Sequence, residues 1–239
     1  MDSPYAGVDG VLLDGLQFCA RVYALFETVW RQPDSATRLR LRPSTFEKRL
    51  IEELLPICRY LQSHYRTGRY ISICWSSGNQ RPDATMEQRG GYIDHGYYPA
   101  AGYLEVTSAA HENDYLLRER LDTVGFAYGV DGLSVSGTRR HGNREIASEV
   151  VVHGNEDFVH AMSDVVLKSI LGKVEKVYPE HTVLIVRCVL NSLYYSDEWD
   201  SLVALVRGRL PEHQFDEIWM CDDSDRFHDS LDCRPRESS

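Results

Sequence analysis

The sequence predicts an α/β domain, a mixed sheet flanked by helices. Three observations point to that class. Apolar periodicity switches along the chain between helical and strand spacing, giving the order α, β, β, β, α, α, β, α, β. The run Thr182–Cys188 (TVLIVRC) is almost continuously apolar, as in a central strand covered on both faces. A long amphipathic helix precedes the strand group and a second follows it.

Taken in order, Val11, Leu12, Leu16, Cys19, Val22, Tyr23 and Phe26 recur at helical spacing and predict a helix over 11–30. Arg31 to Pro43 is polar, with an alternating piece at Leu39–Arg42, and reads as a connector. Ser44-Thr45-Phe46-Glu47 is a capping box that opens a helix to His64, with Pro56 a possible kink. Tyr70–Trp75, Asp83–Gln88 and Gly102–Thr107 have strand composition. His111–Leu121 reads as a helix, and the Gly-rich stretch 125–154 as irregular with short strands at 132–135 and 149–152. Asn155–Tyr178 is the second long helix, ended by Pro179; a helix over 198–210 and a strand over 215–220 complete the pattern. These assignments divide the chain into an N-terminal helix and connector (1–43), an α/β domain (44–221) and an acidic tail (222–239) expected to be disordered.

Of the formal charge of −10, Glu212–Ser239 carries nine acids and three arginines, so most of the imbalance sits at the C-terminus. Bulk charge therefore gives no support to non-specific nucleic-acid binding. The six cysteines form no C-x-x-C pair, which leaves a zinc ribbon or redox motif without support. Cys58, Cys74 and Cys188 sit in apolar patterns and read as reduced thiols of a cytoplasmic protein. No stretch reaches membrane-spanning length, and Asp2, Asp9 and Asp14 stand where a signal peptide would be basic and apolar.

One constellation could carry chemistry. Pro82-Asp83 opens one strand, and Glu105-Val106-Thr107 lies on the next. Strand alternation puts Glu105 and Thr107 on one face. Glu52 and Glu53 lie on the preceding helix; Asp94, with ten residues between it and Glu105, is the alternative first acid. Carboxylates converging on one point attract a hard divalent cation such as Mg²⁺ or Mn²⁺, which activates water for attack on a phosphodiester. On the helix over 155–178, Met162, Val166, Ile170 and Val177 form an apolar stripe that also contains Lys173.

The element order over Thr45–Cys188, together with Pro82-Asp83 and Glu105-x-Thr107, resembles the PD-(D/E)xK, or restriction-endonuclease-like, nuclease superfamily. It is also similar to bacterial proteins with an E-E-L-L-P helix and an E-V-T strand, a likeness that supplies no activity. The superfamily resemblance implies a metal-dependent nuclease or phosphodiesterase, on DNA rather than RNA, with Asp83 and Glu105 as metal ligands and Glu53 or Glu52 assisting. Thr107 departs from the pattern, since the superfamily has lysine there. Some members take the lysine from the helix after the motif strands, which makes Lys173, and after it Lys176, the matching residue. Without that lysine, the same fold would serve as a non-catalytic interaction or regulatory module.

Arg139, Arg140, His141 and Arg144 could contact nucleic-acid phosphates, or form a polar loop. Tyr92, Tyr97, Tyr98 and Tyr103 could stack on bases, or pack a loop onto the domain. His111-Glu112-Asn113-Asp114 suits a helix start better than a zinc site. No P-loop, Rossmann or G-x-S-x-G motif occurs. The expected partners are nucleic acid or protein, with no membrane.

Overall fold

A computed structural model describes residues 4–78, 80–137, 143–191 and 195–233. The first half holds β1 (Leu13–Asp14), α1 (Gly15–Trp30), α2 (Ser35–Leu41), α3 (Thr45–Arg49), a π-helical turn (Leu50–Leu54) and α4 (Leu55–His64). Next come β2 (Tyr70–Trp75), β3 (Ala84–Arg89), α5 (Gly91–Asp94) and β4 (Ala101–Ala109). The second half holds α6 (Asp114–Thr123), β5 (Leu133–Ser136), β6 (Glu145–Ser148), α7 (Asn155–Val174), β7 (Thr182–Cys188), α8 (Ser196–Gly208), β8 (Glu217–Asp222) and β9 (His228–Cys233).

One sheet of seven strands runs β1-β2-β3-β4-β7-β8-β9. The first four strands pair antiparallel in sequence order, with α1 to α4 intervening between β1 and β2. Strand β7 then pairs parallel to β4 and β8 parallel to β7, while β9 returns antiparallel. The protein is thus a mixed α/β fold with helices on both faces. Strand alternation divides β7 between two cores. Val183 and Ile185 join Phe18, Val22, Leu50 and Leu61 on the α1/α4 side, and Leu184, Val186 and Cys188 join Val166, Ile170 and Leu202 on the α7/α8 side. Every residue of β7 is buried, which is why its sequence shows no alternation.

Several boundaries differ from the sequence reading. The helix expected from residue 11 starts at Gly15, because Leu13 and Asp14 pair with Ile73 and Ser72. Asp14 accepts the Leu16 N–H at 3.0 Å, capping α1. A Cβ on Gly15 would sit 2.9 Å from the Ile71 carbonyl oxygen, so this strand-to-helix corner requires glycine. The connector over 31–43 contains α2, which ends at Arg42 in the left-handed region (φ 52°). Within the segment expected to stand apart (1–43), the described residues from 4 onward are therefore not separate from the domain: β1 lies in the sheet and α1 in its core.

Pro56 does not break its helix. Its missing N–H leaves the Glu52 carbonyl without its i+4 donor, and the π-helical turn immediately upstream takes up the change. The second short strand is Glu145–Ser148, not 149–152; Val150–Val152 is an exposed, non-strand segment. The expected disordered tail is also corrected, since residues 222–233 form the turn and second strand of a hairpin. Asp222 accepts backbone N–H groups from Ser224, Arg226 and Phe227, which turns the chain into β9. Residues 234–239 lie outside the described residues. Among the described residues, no helix is long and apolar enough to cross a membrane.

Candidate active site

The register of β3 on β4 pairs Ala84 with Leu104, so the next step along sets Asp83 opposite Glu105. Directly opposed residues of an antiparallel pair share a face. The shared face here looks toward α7, since Glu105 is also in register with Leu184 of the α7-side core. Asp83 Oδ2 accepts the Val106 N–H at 2.8 Å, so the side chain takes over a backbone ladder position. Glu105 is 2% exposed. Its Oε1 accepts hydrogen bonds from Lys173 Nζ at 2.5 Å and Tyr178 Oη at 3.0 Å. Its Oε2 is buried with no hydrogen-bond partner. Lys173 comes from the last turn of α7, three residues after the buried Ile170, and Tyr178 packs on Phe215 beyond the helix end.

The electrostatics follow from that crowding. Burial and the neighbouring Glu105 charge push the Asp83 carboxyl up to about 7, against the opposing pull of the Val106 N–H and Lys173. Burial, followed by the charge of Glu105 and its hydrogen bond, raises the Tyr178 phenol. Burial also raises Glu53, with Arg49 opposing. A carboxyl held near neutrality beside a buried carboxylate oxygen with no donor is an arrangement that a hard cation would relieve.

The structure brings Asp83, Glu105 and Lys173 together, but not Glu53. Glu53 belongs to the π-helical turn, whose Leu50 and Leu54 pack in the opposite core. It lies 3.9 Å from Arg49 Nε, and its charge is felt at Asp83 only through space. Glu52 is bound to Arg42 at 2.8 Å. Asp94 is exposed on α5, beyond the far end of β3. Among the described residues, no group of three or more His, Cys, Asp or Glu side chains is disposed to hold a metal, so the expected three-acid set is not assembled. The Asp83–Glu105 pair still fits Mg²⁺, which commonly takes one or two carboxylates and completes its shell with water and phosphate oxygens.

Beside Lys173 lies a cleft of about 460 Å³ between α7 and the end of β4, lined in part by Thr107, Lys168, Ser169, Lys173 and Lys176; Asp83 and Glu105 are not among its lining residues, and Lys173 joins the cleft to the pair. Lys176 lines this cleft without bonding Glu105. Val177, assigned to the apolar stripe, lies past the end of α7 and is 92% exposed. Arg144 is taken up elsewhere, paired with Glu119 at 3.2 Å and set over the Tyr115 ring. Arg139, Arg140 and His141 lie outside the described residues. The tyrosine-rich connection packs with arginines at the opposite end of the strands, Tyr98 under Arg69 at 3.6 Å. Sequence reasoning missed Tyr178, because no short-range pattern marks a tyrosine that returns to a strand after a helix end.

A second charge cluster occupies the other face of the sheet. Arg187, 2% exposed, grips both Asp223 oxygens at 2.6 Å, although the Nε···Oδ1 contact lies outside hydrogen-bond geometry. Arg59 donates to the carbonyls of Asp222 and Asp223, and the charges of Arg42 and Arg59 help offset the effect of burial on Asp223. Arg118 pairs with Asp114 and lies 3.9 Å from Glu52.

Against known proteins, the chain matches no family model, and no curated protein or solved structure is significantly similar to it.

Proposed function

We propose that the protein is a divalent-metal-dependent phosphodiesterase acting on nucleic acid, DNA in preference to RNA, built on a restriction-endonuclease-like core. The order helix, β2-β3-β4 meander, α7, and β7 parallel to β4 supports the core assignment. The observation that carries the reaction is the Asp83–Glu105 pair, with one buried carboxylate oxygen lacking a donor and a lysine against the other. Asp83 and Glu105 Oε2 would hold the cation. Bound there, the cation would polarise the phosphoryl group and make a water acidic enough to attack it. Lys173 stands beside the carboxylates, where negative charge would build on the phosphate. Tyr178 and Lys173 together fix the orientation of the Glu105 carboxylate.

The test is Mn²⁺ titration by calorimetry combined with plasmid nicking assays. Asp83→Asn and Glu105→Gln should each lose metal affinity by at least tenfold, and nicking with it, while circular dichroism stays native. Because the metal needs the Asp83 anion, affinity should rise with pH and level off above about 7. Nicking by Glu105→Gln at the parental rate would remove this reading. A second reading, an interaction or regulatory module on the same fold, is favoured by Thr107 at the motif's lysine position and by the full occupancy of Glu105 Oε1. It requires that no metal bind in a manner dependent on Asp83.

A further inference from the structure

The chain carries a net charge of −10, and most of its basic side chains are paired with acids or stacked on rings. The cleft beside Lys173 is an exception. Lys168 and Lys176 both line it, and among the described residues neither makes an ion pair. The Thr107 hydroxyl also lines the cleft and makes no hydrogen bond to another described residue. At Gly172 an added Cβ would meet nothing within 4 Å, so the α7 wall is left open at that point. Lys176 stands eight positions after Lys168, about 12 Å at helical rise, two residues past the end of α7, with Lys173 between them. That spacing suits two phosphates of one strand better than a single isolated phosphate. Glu112 is the acid among the lining residues, and it follows β4 rather than standing on the α7 wall.

We propose that this cleft is the track of a single phosphodiester strand. Lys168 and Lys176 hold backbone phosphates on either side of the Glu105–Lys173 pair, and Thr107 donates to a phosphate between them. The inference takes its ligand class from the phosphodiesterase reading. It places the nucleic-acid contact on α7, the turn that follows it and β4, and not on Arg139 and Arg140. Backbone contacts of this kind carry little base information, so the strand should bind with weak sequence preference.

The experiment is fluorescence anisotropy of the full chain with labelled single-stranded 12-mers, one DNA and one RNA, in EDTA over a series of salt concentrations. Without metal nothing is cut, so binding is read separately from chemistry. The parent should bind with salt-dependent affinity. Lys168→Gln and Lys176→Gln should each weaken binding about tenfold. Each should also reduce the slope of log affinity against log salt by about 0.7. Gly172→Leu adds bulk without changing charge and favours the helix, so it should block the strand while leaving thermal stability unchanged or higher. The inference is overturned if the parent binds neither strand at low salt, or if the double lysine variant keeps the parental affinity and slope. Both results leave the Mn²⁺ titration of Asp83 and Glu105 to stand on its own. Strand binding lost in the lysine variants, together with absent metal binding, would instead remove the phosphodiesterase reading and keep the track.

Discussion

The two faces of the central sheet each bury a knot of charge, and the knots are tied differently. On the α1/α4 face, Arg187, Arg59, Arg42 and Arg118 are matched by Asp223, Glu52 and Asp114, with carbonyls taking up further arginine donors. On the α7 face, two carboxylates lie side by side, one lysine serves them, and one buried oxygen is left over. Burying a charge is tolerable when it is paired and hydrogen-bonded. The first knot sets each carboxylate against at least one arginine, although Asp223 Oδ1 and Arg42 Nε are buried without a hydrogen bond, and it joins the helical layer to the C-terminal hairpin. The second sets two neighbouring carboxylates against a single lysine, and such a deficit of positive charge is the usual mark of a place where something else binds.

Three variants test this contrast. Arg187→Met should have the largest effect, because it strands Asp223 in a half-buried position. Urea unfolding should show a loss of about 3 kcal/mol, while Mn²⁺ affinity on the other face stays parental. A neutral result would mean that the arginine knot is decorative.

Asp83→Asn should act in the opposite direction. The Asp83 pKa is about 7 in the folded protein, above its unfolded value, so its stabilising contribution is full below the unfolded pKa and disappears as pH rises through about 7. Asparagine can still accept the Val106 N–H. In the absence of metal, the variant should therefore match the parent near pH 4 and exceed it at pH 8 by about 2 kcal/mol, after discounting the full shift for partial solvent access. Identical pH slopes for parent and variant would show that Asp83 is not under electrostatic strain.

Tyr178→Phe should have the smallest effect, about 1 kcal/mol by denaturant melt, because Lys173 still engages Glu105 Oε1. Its sharper readout is Mn²⁺ affinity, which should fall as the carboxylate gains freedom to turn.

How much of this was legible in the sequence depends on the range of the interaction. The pleat of a strand is local, so the shared face of Glu105 and Thr107 follows from their spacing. Lys173 could be placed because it lies one helical step beyond Ile170 on a regular α7. Glu53 comes from the superfamily resemblance and not from spacing, and spacing could not have placed it, since the π-helical turn containing it shifts the helical phase by about one residue. Local reading failed for the C-terminal acids. Composition suggested a solvated tail, but their partners are backbone N–H groups of a turn and arginines from α4 and β7, distant in sequence. Strand β1 is two residues long, too short to leave a periodic signal.

The hold on Glu105 has a consequence for any ligand it receives. Lys173 and Tyr178 pin one oxygen from a helix and from the segment beyond it, so the carboxylate cannot swivel, and the unclaimed oxygen keeps a fixed bearing. A cation captured there would find the side chain already ordered and would lose little rotational entropy in fixing it. That readiness depends on helix–strand packing: a slide of α7 by a single turn, about 5.4 Å, would withdraw the lysine and let the carboxylate swing free.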